Sequence, residues 1–143
     1  MGEFVLRPSP RARALVGGST GLAPLLSMLR DVATSGRDQD EYHLFFGMQD
    51  PASMFFETEL RALAGTMRNL TVHLALMAPP EGWDGFVGNS VAAFAAYFAD
   101  RADKPDVYLC GPGPMVDAAI AACQRLAIPD AQIYREEFVA SGS

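Results

Sequence analysis

Three glycine-containing motifs in this 143-residue chain follow short apolar runs, at positions where the backbone could bind a ligand. They occupy residues 17–24, 47–50 and 110–115. Glycine lets the backbone turn sharply and approach a ligand closely, and the N-terminus of a following helix offers free N–H groups to an anion. No lysine lies in these motifs, and the Gly-x-x-x-x-Gly-Lys-Ser/Thr pattern of a P-loop nucleotidase is missing from the sequence. The motifs therefore predict a diphosphate that is bound by backbone N–H groups and helix dipoles.

The first motif also has a hydrolytic interpretation. Gly17, Ser19 and Gly21 match the Gly-x-Ser-x-Gly nucleophile elbow of α/β-hydrolases, which needs a histidine later in the chain. His43 and His73 are the only histidines, and both fall inside predicted strands rather than after the last one. A hydrolase and a purely structural glycine turn are the alternatives to nucleotide binding at this motif.

Alternating strand-like and helix-like segments place the three motifs at the ends of strands. Strands are predicted at residues 13–16, 42–46, 70–77, 107–110 and 133–138. Helices are predicted over 22–35, after Asp50-Pro51, over 91–100 and over 115–126. This alternation predicts an α/β fold, a doubly wound five-stranded parallel sheet with helices on both faces. Ligands bind such a sheet at the carboxyl ends of its strands, where the direction of the connections reverses.

Composition excludes several other classes of protein. The 17 acidic and 11 basic residues give a net charge of −6, and Lys104 is the only lysine. A chain this acidic lacks the basic patch of a nucleic-acid binder or of a protein held on an anionic membrane. Two cysteines are too few for a disulfide scaffold. Because the chain has only two histidines besides, we expect no metal site. With no secretory signal and no apolar run long enough to span a membrane, we expect a cytoplasmic protein.

Three motifs in this order resemble the signatures of the ferredoxin–NADP⁺ reductase superfamily. Gly18-Ser19-Thr20-Gly21-Leu22-Ala23-Pro24 resembles its Gly-Gly-Thr-Gly-x-x-Pro turn, with Ser19 in place of the second glycine. Cys110-Gly111-Pro112 with Met115 resembles the second signature, and Glu136-Glu137-Phe138 resembles the carboxyl-terminal Glu-x-aromatic. Within that superfamily the chain is most similar to the reductase components of soluble methane monooxygenases, over almost its whole length.

The resemblance implies an NADH-binding domain that presents NADH for hydride transfer to FAD. Electrons then pass through a [2Fe-2S] cluster to the hydroxylase component of an oxygenase. FAD and the cluster are expected in the flavin and ferredoxin domains of a longer reductase, because the flavin motif Arg-x-Tyr-Ser and the cluster cysteines are missing from this sequence. We therefore expect residues 1–12 to be a remnant of the preceding flavin domain and linker, and 13–143 to be the NAD(H)-binding domain. The alternative is a nucleotide-sensing module without redox activity.

The resemblance also implies roles for individual residues. Thr20 would hydrogen bond the nicotinamide end, while Gly18, Ser19 and Gly21 would offer N–H groups to the diphosphate. Cys110 would lie against the nicotinamide ring near the carbon that gives up hydride, and Glu136 would lie close to the reacting atoms. The remaining cofactor-binding residues are Pro24, Gly47, Gly111, Pro112, Met115 and Phe138, the last at the junction with the flavin. The structural alternatives are a core position for Cys110 and Phe138 and a solvated carboxylate for Glu136.

The adenosine ribose requires an acidic partner of its own. Some NADH-using relatives place an aspartate just after the third strand, where this chain has Met77. Asp50 and Glu81 are the candidates instead, although Asp50 before Pro51 is also a good helix N-cap. A carboxylate repels a 2′-phosphate, and the loops after the second and third strands contain no Arg or Lys before Arg61. The sequence therefore favours NADH over NADPH.

Overall fold

A six-stranded parallel sheet lies at the centre of the computed structural model, which describes residues 6–7, 9–18, 22–35, 40–48 and 57–138. Its strands are β1 (Arg13–Gly17), β2 (Tyr42–Met48), β3 (Leu70–Leu76), β4 (Phe86–Val87), β5 (Asp106–Pro112) and β6 (Ile133–Phe138). They are arranged in the order β4-β3-β2-β1-β5-β6, and every neighbouring pair is parallel.

Helices cover both faces of this sheet. They are α1 (Leu22–Ser35), α2 (Glu57–Thr66), α3 (Ser90–Phe98) and α4 (Gly113–Arg125). Helices α1 and α2 pack on the face that carries Leu15 and Tyr108, and α3 and α4 pack on the face that carries Val16 and Leu109. Both faces of β1 and β5 are therefore buried, which explains why these strands are apolar on both sides.

The order of the strands locates the ligand-binding edge. From β1 the chain moves outward through β2, β3 and β4, and then returns to place β5 on the other side of β1. Connections of opposite direction leave a crevice at the carboxyl ends of β1 and β5. At that crevice Gly17, the last residue of β1, is paired in register with Cys110 of β5.

The predicted fold class is confirmed, and the predicted number of strands is wrong. The strand that was not predicted is β4. It lies inside the segment 78–88, which was predicted as a loop, and it pairs with β3 through only two residues. A two-residue strand has no periodicity that a sequence pattern could reveal. Strand β5 is also longer than predicted, so that Gly111 and Pro112 belong to the strand and α4 begins at Gly113. The predicted helix start at Asp50-Pro51 lies outside the described residues.

A polar cluster lies near the amino-terminal end of β2 and at the middle of β3, on the face that α3 covers. We call Glu41, His43, His73 and Arg101 the histidine cluster. His43 Nδ1 and His73 Nε2 are 3.0 Å apart, and His43 Nε2 lies 2.5 Å from the Glu41 carboxylate, which Arg101 also binds. The hydrogen bond from Arg101 lowers the pKa of Glu41 to about 2, and burial lowers the pKa of His73 to about 4. The cluster therefore favours a neutral His73 and an ionised Glu41.

Candidate functional site

Three residues on adjacent strands lie side by side at the carboxyl edge of the sheet. Gly17 of β1 is in register with Cys110 of β5, which is in register with Glu136 of β6. Cys110 is fully buried in the core on the α1 face. Glu136 follows Tyr134 by two residues, and because Tyr134 packs against the same core, alternation along the strand places Glu136 on that face too. The structure thus brings together the two residues that were predicted to lie at the reacting atoms, and leaves Glu136 exposed.

The electrostatics of this pair keep the cysteine neutral. Burial raises the pKa of the Cys110 thiol to about 12, and the negative charge of Glu136 contributes to the increase. Only a thiolate is a strong nucleophile, so the site is not built for covalent catalysis by Cys110. A small neutral thiol beside an exposed carboxylate can instead shape a pocket and stabilise positive charge that develops next to it.

The rest of the second motif folds around Cys110. A Cβ atom at Gly111 would lie 2.6 Å from the Met115 sulfur, so the absence of a side chain lets Met115 pack back onto the end of the strand. Pro112 is exposed at the end of β5 and is in register with Phe138, the last residue of β6. The end of β5 therefore brings together residues 110–112, Met115 and the backbone of Phe138.

The first motif is described only at its two ends. Gly18 is half-buried just after β1, and a Cβ atom there would meet nothing within 4 Å, so space is open beside its backbone. Pro24 is half-buried in the first turn of α1. Ser19, Thr20 and Gly21 lie outside the described residues, and their roles at the diphosphate stay predictions.

Gly47 lies against the N-terminus of α3. A Cβ atom on Gly47 would lie 2.7 Å from the backbone nitrogen of Ser90, so only glycine allows the helix to approach this closely. Asn89 caps the helix, and its Oδ1 accepts a 2.7 Å hydrogen bond from the Ala92 N–H. The packing of α3 accounts for glycine at this position, and the predicted contact of Gly47 with the cofactor stays a prediction. The arrival of α3 at this edge was missed from the sequence, because only the tertiary structure shows where a helix packs.

The ends of β2 and β3 and the loop that follows β3 form the other half of this edge, which we call its outer half. Met77 is 51% exposed, and its N–H donates to the Met48 carbonyl at the ends of β2 and β3. Glu81 is exposed in the following turn, and Asp50 lies outside the described residues. Trp83 is half-buried, and its indole N–H donates to the Phe86 carbonyl, so that it anchors the loop between β3 and β4. The role of Glu81 or Asp50 at the ribose stays a prediction.

Two tyrosines beside the site were also missed. Tyr108 and Tyr134 precede Cys110 and Glu136 by two residues, and their rings stack with centroids 4.8 Å apart. The backbone N–H of Arg7 donates to the Tyr108 hydroxyl, and the Arg7 guanidinium lies over the Tyr134 ring. A tyrosine two residues before each site residue was a signal available in the sequence, because alternation places all four side chains on one face.

The histidines do not support the hydrolase interpretation. His43 is in register with Ala14 near the start of β1, at the end of the sheet opposite to Gly18. It contacts His73 on the neighbouring strand. Within the described ranges, no three His, Cys, Asp or Glu side chains are grouped as metal ligands would be. None of the described helices combines the length and apolar character that crossing a bilayer requires.

Comparisons with known proteins show which family this chain is similar to. The family model of the oxidoreductase NAD-binding domain matches residues 15–120. The anthranilate 1,2-dioxygenase electron transfer component of Acinetobacter baylyi is 30% identical over 100% of this chain and 41% of its own length. The propane 2-monooxygenase reductase component of Rhodococcus jostii is 31% identical over 86% of this chain and 34% of its own length.

A solved structure shows the same fold. The crystal structure of an Amycolatopsis cytochrome P450 reductase superposes on 98% of this chain with a TM-score of 0.84 and 26% identity. That match covers 42% of the Amycolatopsis chain. This chain therefore spans less than half the length of each of these three proteins.

Proposed function

Because the chain belongs to the oxidoreductase NAD-binding domain family, we propose that it binds NADH at the carboxyl edge of its sheet and presents the nicotinamide to a flavin held by another domain. The alignment of Gly17, Cys110 and Glu136 on adjacent strands is the observation that carries this proposal. When bound, NADH supplies the hydride. The chain itself supplies binding and orientation, as proteins generally do for such cofactors.

The described residues fit such a dinucleotide. Open space beside Gly18 leaves room for a diphosphate to approach the backbone at the start of α1. A flat ring bound at this edge would lie near the end of β5, where Cys110 is small and uncharged, and beside the exposed carboxylate of Glu136. A carboxylate at this position favours the cationic oxidised nicotinamide, so Glu136 assists the loss of hydride.

Charge at the outer half of the edge favours NADH over NADPH. The loop between β3 and β4 carries the exposed carboxylates Glu81 and Asp84 and no Arg or Lys. A 2′-phosphate needs cationic partners and is repelled by carboxylates. In this proposal one of Glu81 and Asp50 accepts hydrogen bonds from the ribose hydroxyls.

The names of its relatives support a proposal for the wider role of the protein. The names of two of them describe an electron transfer component of a dioxygenase and a reductase component of a monooxygenase. We propose that this chain works with a flavin domain and a [2Fe-2S] ferredoxin domain of the same reductase, and that electrons pass from them to the hydroxylase component of an oxygenase. The narrower similarity to methane monooxygenase reductases stays a prediction. Cys110 and Cys123 are both free thiols, which favours a reducing compartment, the cytoplasm.

Titration with NADH and with NADPH tests the proposed function. Trp83 is the single tryptophan, and it lies in the loop that forms the outer half of the edge. We expect saturable quenching of its fluorescence by NADH at a concentration at least about tenfold below that needed with NADPH, a difference of about 1.4 kcal/mol. Calorimetry of the same mixtures is the control for a tryptophan that does not respond. No heat and no quenching with either nucleotide would contradict the proposal, and tighter binding of NADPH would contradict the assigned role of the carboxylates.

A further inference from the structure

The segment before β1 is packed against the sheet rather than detached from it. We call its described residues, 6–7 and 9–12, the N-terminal strap. Arg11 Nε binds the buried carboxylate of Asp106 at 2.7 Å, and the backbone N–H of Arg7 donates to the Tyr108 hydroxyl at 2.9 Å. Leu6 packs against the core on the α1 face. Three successive parts of the strap therefore contact the same side of the sheet.

The order of these contacts gives the strap a direction. Asp106, Tyr108 and Cys110 are the first, third and fifth residues of β5. Arg11 contacts the first and Arg7 contacts the third, so the strap runs antiparallel to β5, and its amino-terminal end is the end nearer to Cys110. One further step of two residues along β5, about 7 Å, leads from Tyr108 to Cys110.

Both ends of Arg7 are held. Its guanidinium lies 5.3 Å from the centroid of the Tyr134 ring, which stacks on Tyr108. Its carbonyl accepts a 2.8 Å hydrogen bond from Nη2 of the buried Arg13. Tyr108 and Tyr134 precede Cys110 and Glu136 by two residues on the same face, so the residues that hold the strap belong to the two strands that carry the predicted reacting pair.

We propose that the N-terminal strap is a positioning device, which Tyr108 and Tyr134 hold so that a flavin domain preceding it meets the face of Cys110 and Glu136 in one orientation. This inference rests on the proposed function, since it identifies the partner of that site as a flavin domain of the same polypeptide. Tyr108 is here a positioning residue, because it contacts the strap and acts through it. The predicted domain boundary after residue 12 separates the strap from residues 13–143. In this proposal the strap is instead part of the surface of the NAD-binding domain, because it packs on the sheet.

Two variants remove two of the three contacts of Arg7 separately, those with Tyr108 and with Tyr134. Tyr108→Phe removes the hydroxyl that accepts the Arg7 N–H and keeps the ring. Arg7→Ala removes the guanidinium over Tyr134, and because Arg7 is exposed, this change leaves the core intact. Arg7→Lys restores a cation over the ring, and Tyr134→Phe is the matched control because it keeps the ring that Arg7 covers.

Hydrogen exchange of this chain is the first readout. We expect Tyr108→Phe to increase the exchange rate of the Arg7 amide at least fivefold, and Arg7→Ala to increase cleavage by trypsin after Arg11 by a similar factor. Arg7→Lys and Tyr134→Phe should stay within twofold of the wild-type protein. Wild-type exchange and cleavage in both Tyr108→Phe and Arg7→Ala would overturn the strap.

The second readout is flavin reduction in the reductase that joins this chain to its flavin domain. We expect Arg7→Ala to lower the limiting rate of flavin reduction by NADH about tenfold, with less than a twofold change in NADH affinity, and Arg7→Lys to recover most of the rate. An unchanged limiting rate with a loosened strap would overturn the positioning role. Failure of the wild-type chain to bind NADH would instead contradict the proposed function, whatever the strap does.

Discussion

Cys110 is kept neutral by two influences of different kinds. Burial excludes water from the thiolate, and the carboxylate of Glu136 on the neighbouring strand repels negative charge. Cys123 provides a comparison within the same molecule, since burial alone raises its pKa to about 11. The charge of Glu136 is thus an influence on Cys110 that Cys123 does not share.

This difference makes a prediction for Glu136→Gln. Removing the carboxylate should lower the pKa of Cys110 and leave that of Cys123 unchanged, because only Cys110 lies beside Glu136. We expect the rate of alkylation of Cys110 by iodoacetamide at pH 9 to rise about threefold relative to that of Cys123, measured by peptide mass spectrometry. Because both thiols are buried, the ratio of their two alkylation rates is unaffected by a variant that exposes the whole core more often. A constant ratio would show that the Glu136 charge does not reach the thiol.

At the scale of elements, α3 connects the two ends of the sheet. Its N-terminus is packed on Gly47 at the ligand-binding edge, and its last turn, with Tyr97 and Phe98, lies against the ring of His43 in the histidine cluster. The apolar residues between these ends, among them Ala93 and Phe94, are buried on the sheet. The position of one helix thus depends on a glycine at one end and on aromatic and polar contacts at the other.

Gly47→Ala tests the dependence of α3 on the glycine. The added methyl group would lie 2.7 Å from the backbone nitrogen of Ser90, and a helix backbone cannot give way cheaply. We expect a loss of about 1–3 kcal/mol in the free energy of unfolding, measured with urea. The control is Gly65→Ala in α2, where a Cβ atom meets nothing within 4 Å and alanine should be neutral or should stabilise the helix by up to about 1 kcal/mol. Equal stabilities of the two variants would contradict the close approach of α3.

For the whole molecule, the histidine cluster predicts an acid-sensitive stability. Burial lowers the pKa of His73 from 6.5 to about 4, so the unfolded chain binds this proton more readily than the folded one. The free energy of unfolding should therefore fall as the pH drops from about 6.5 toward 4. Tyr97, Phe45 and His43 pack against His73, and Glu41, Arg101 and Asp103 are the charged groups of the surrounding network.

Comparison of two variants separates the groups that titrate. His73→Phe should flatten the pH dependence between about 6.5 and 4, by on the order of 1–2 kcal/mol for a half-buried group. Glu41→Gln should act in a lower window, because the pKa of Glu41 falls from 4.5 to about 2 and its stabilisation is lost as the pH falls through that range. Urea unfolding of the three proteins at a series of pH values measures both effects. The same slope for His73→Phe and wild type between pH 6.5 and 4 would exclude His73 as the group responsible.

The sequence alone predicted the fold class, the main strands and the meeting of Cys110 and Glu136 at one edge of the sheet. Apolar runs, helical spacing and strong turn signals are local, so α1 and β6 were predicted with the bounds that the structure shows. Cys110 and Glu136 were expected at one place because the carboxyl ends of parallel strands share an edge, and the structure pairs them in register.

Only the tertiary structure decided which elements meet at that edge. The two-residue β4 is too short to carry a pattern, and it exists because β3 offers it a partner. Gly47 resembled a ligand-binding glycine in the sequence, and its contact with Ser90 depends on where α3 packs. The strap depends on a contact between Arg7 and Tyr108, which are 101 residues apart in the sequence. Contacts of such long range arise when the core closes, because burial brings side chains together wherever they stand in the chain, and no local pattern records their partners.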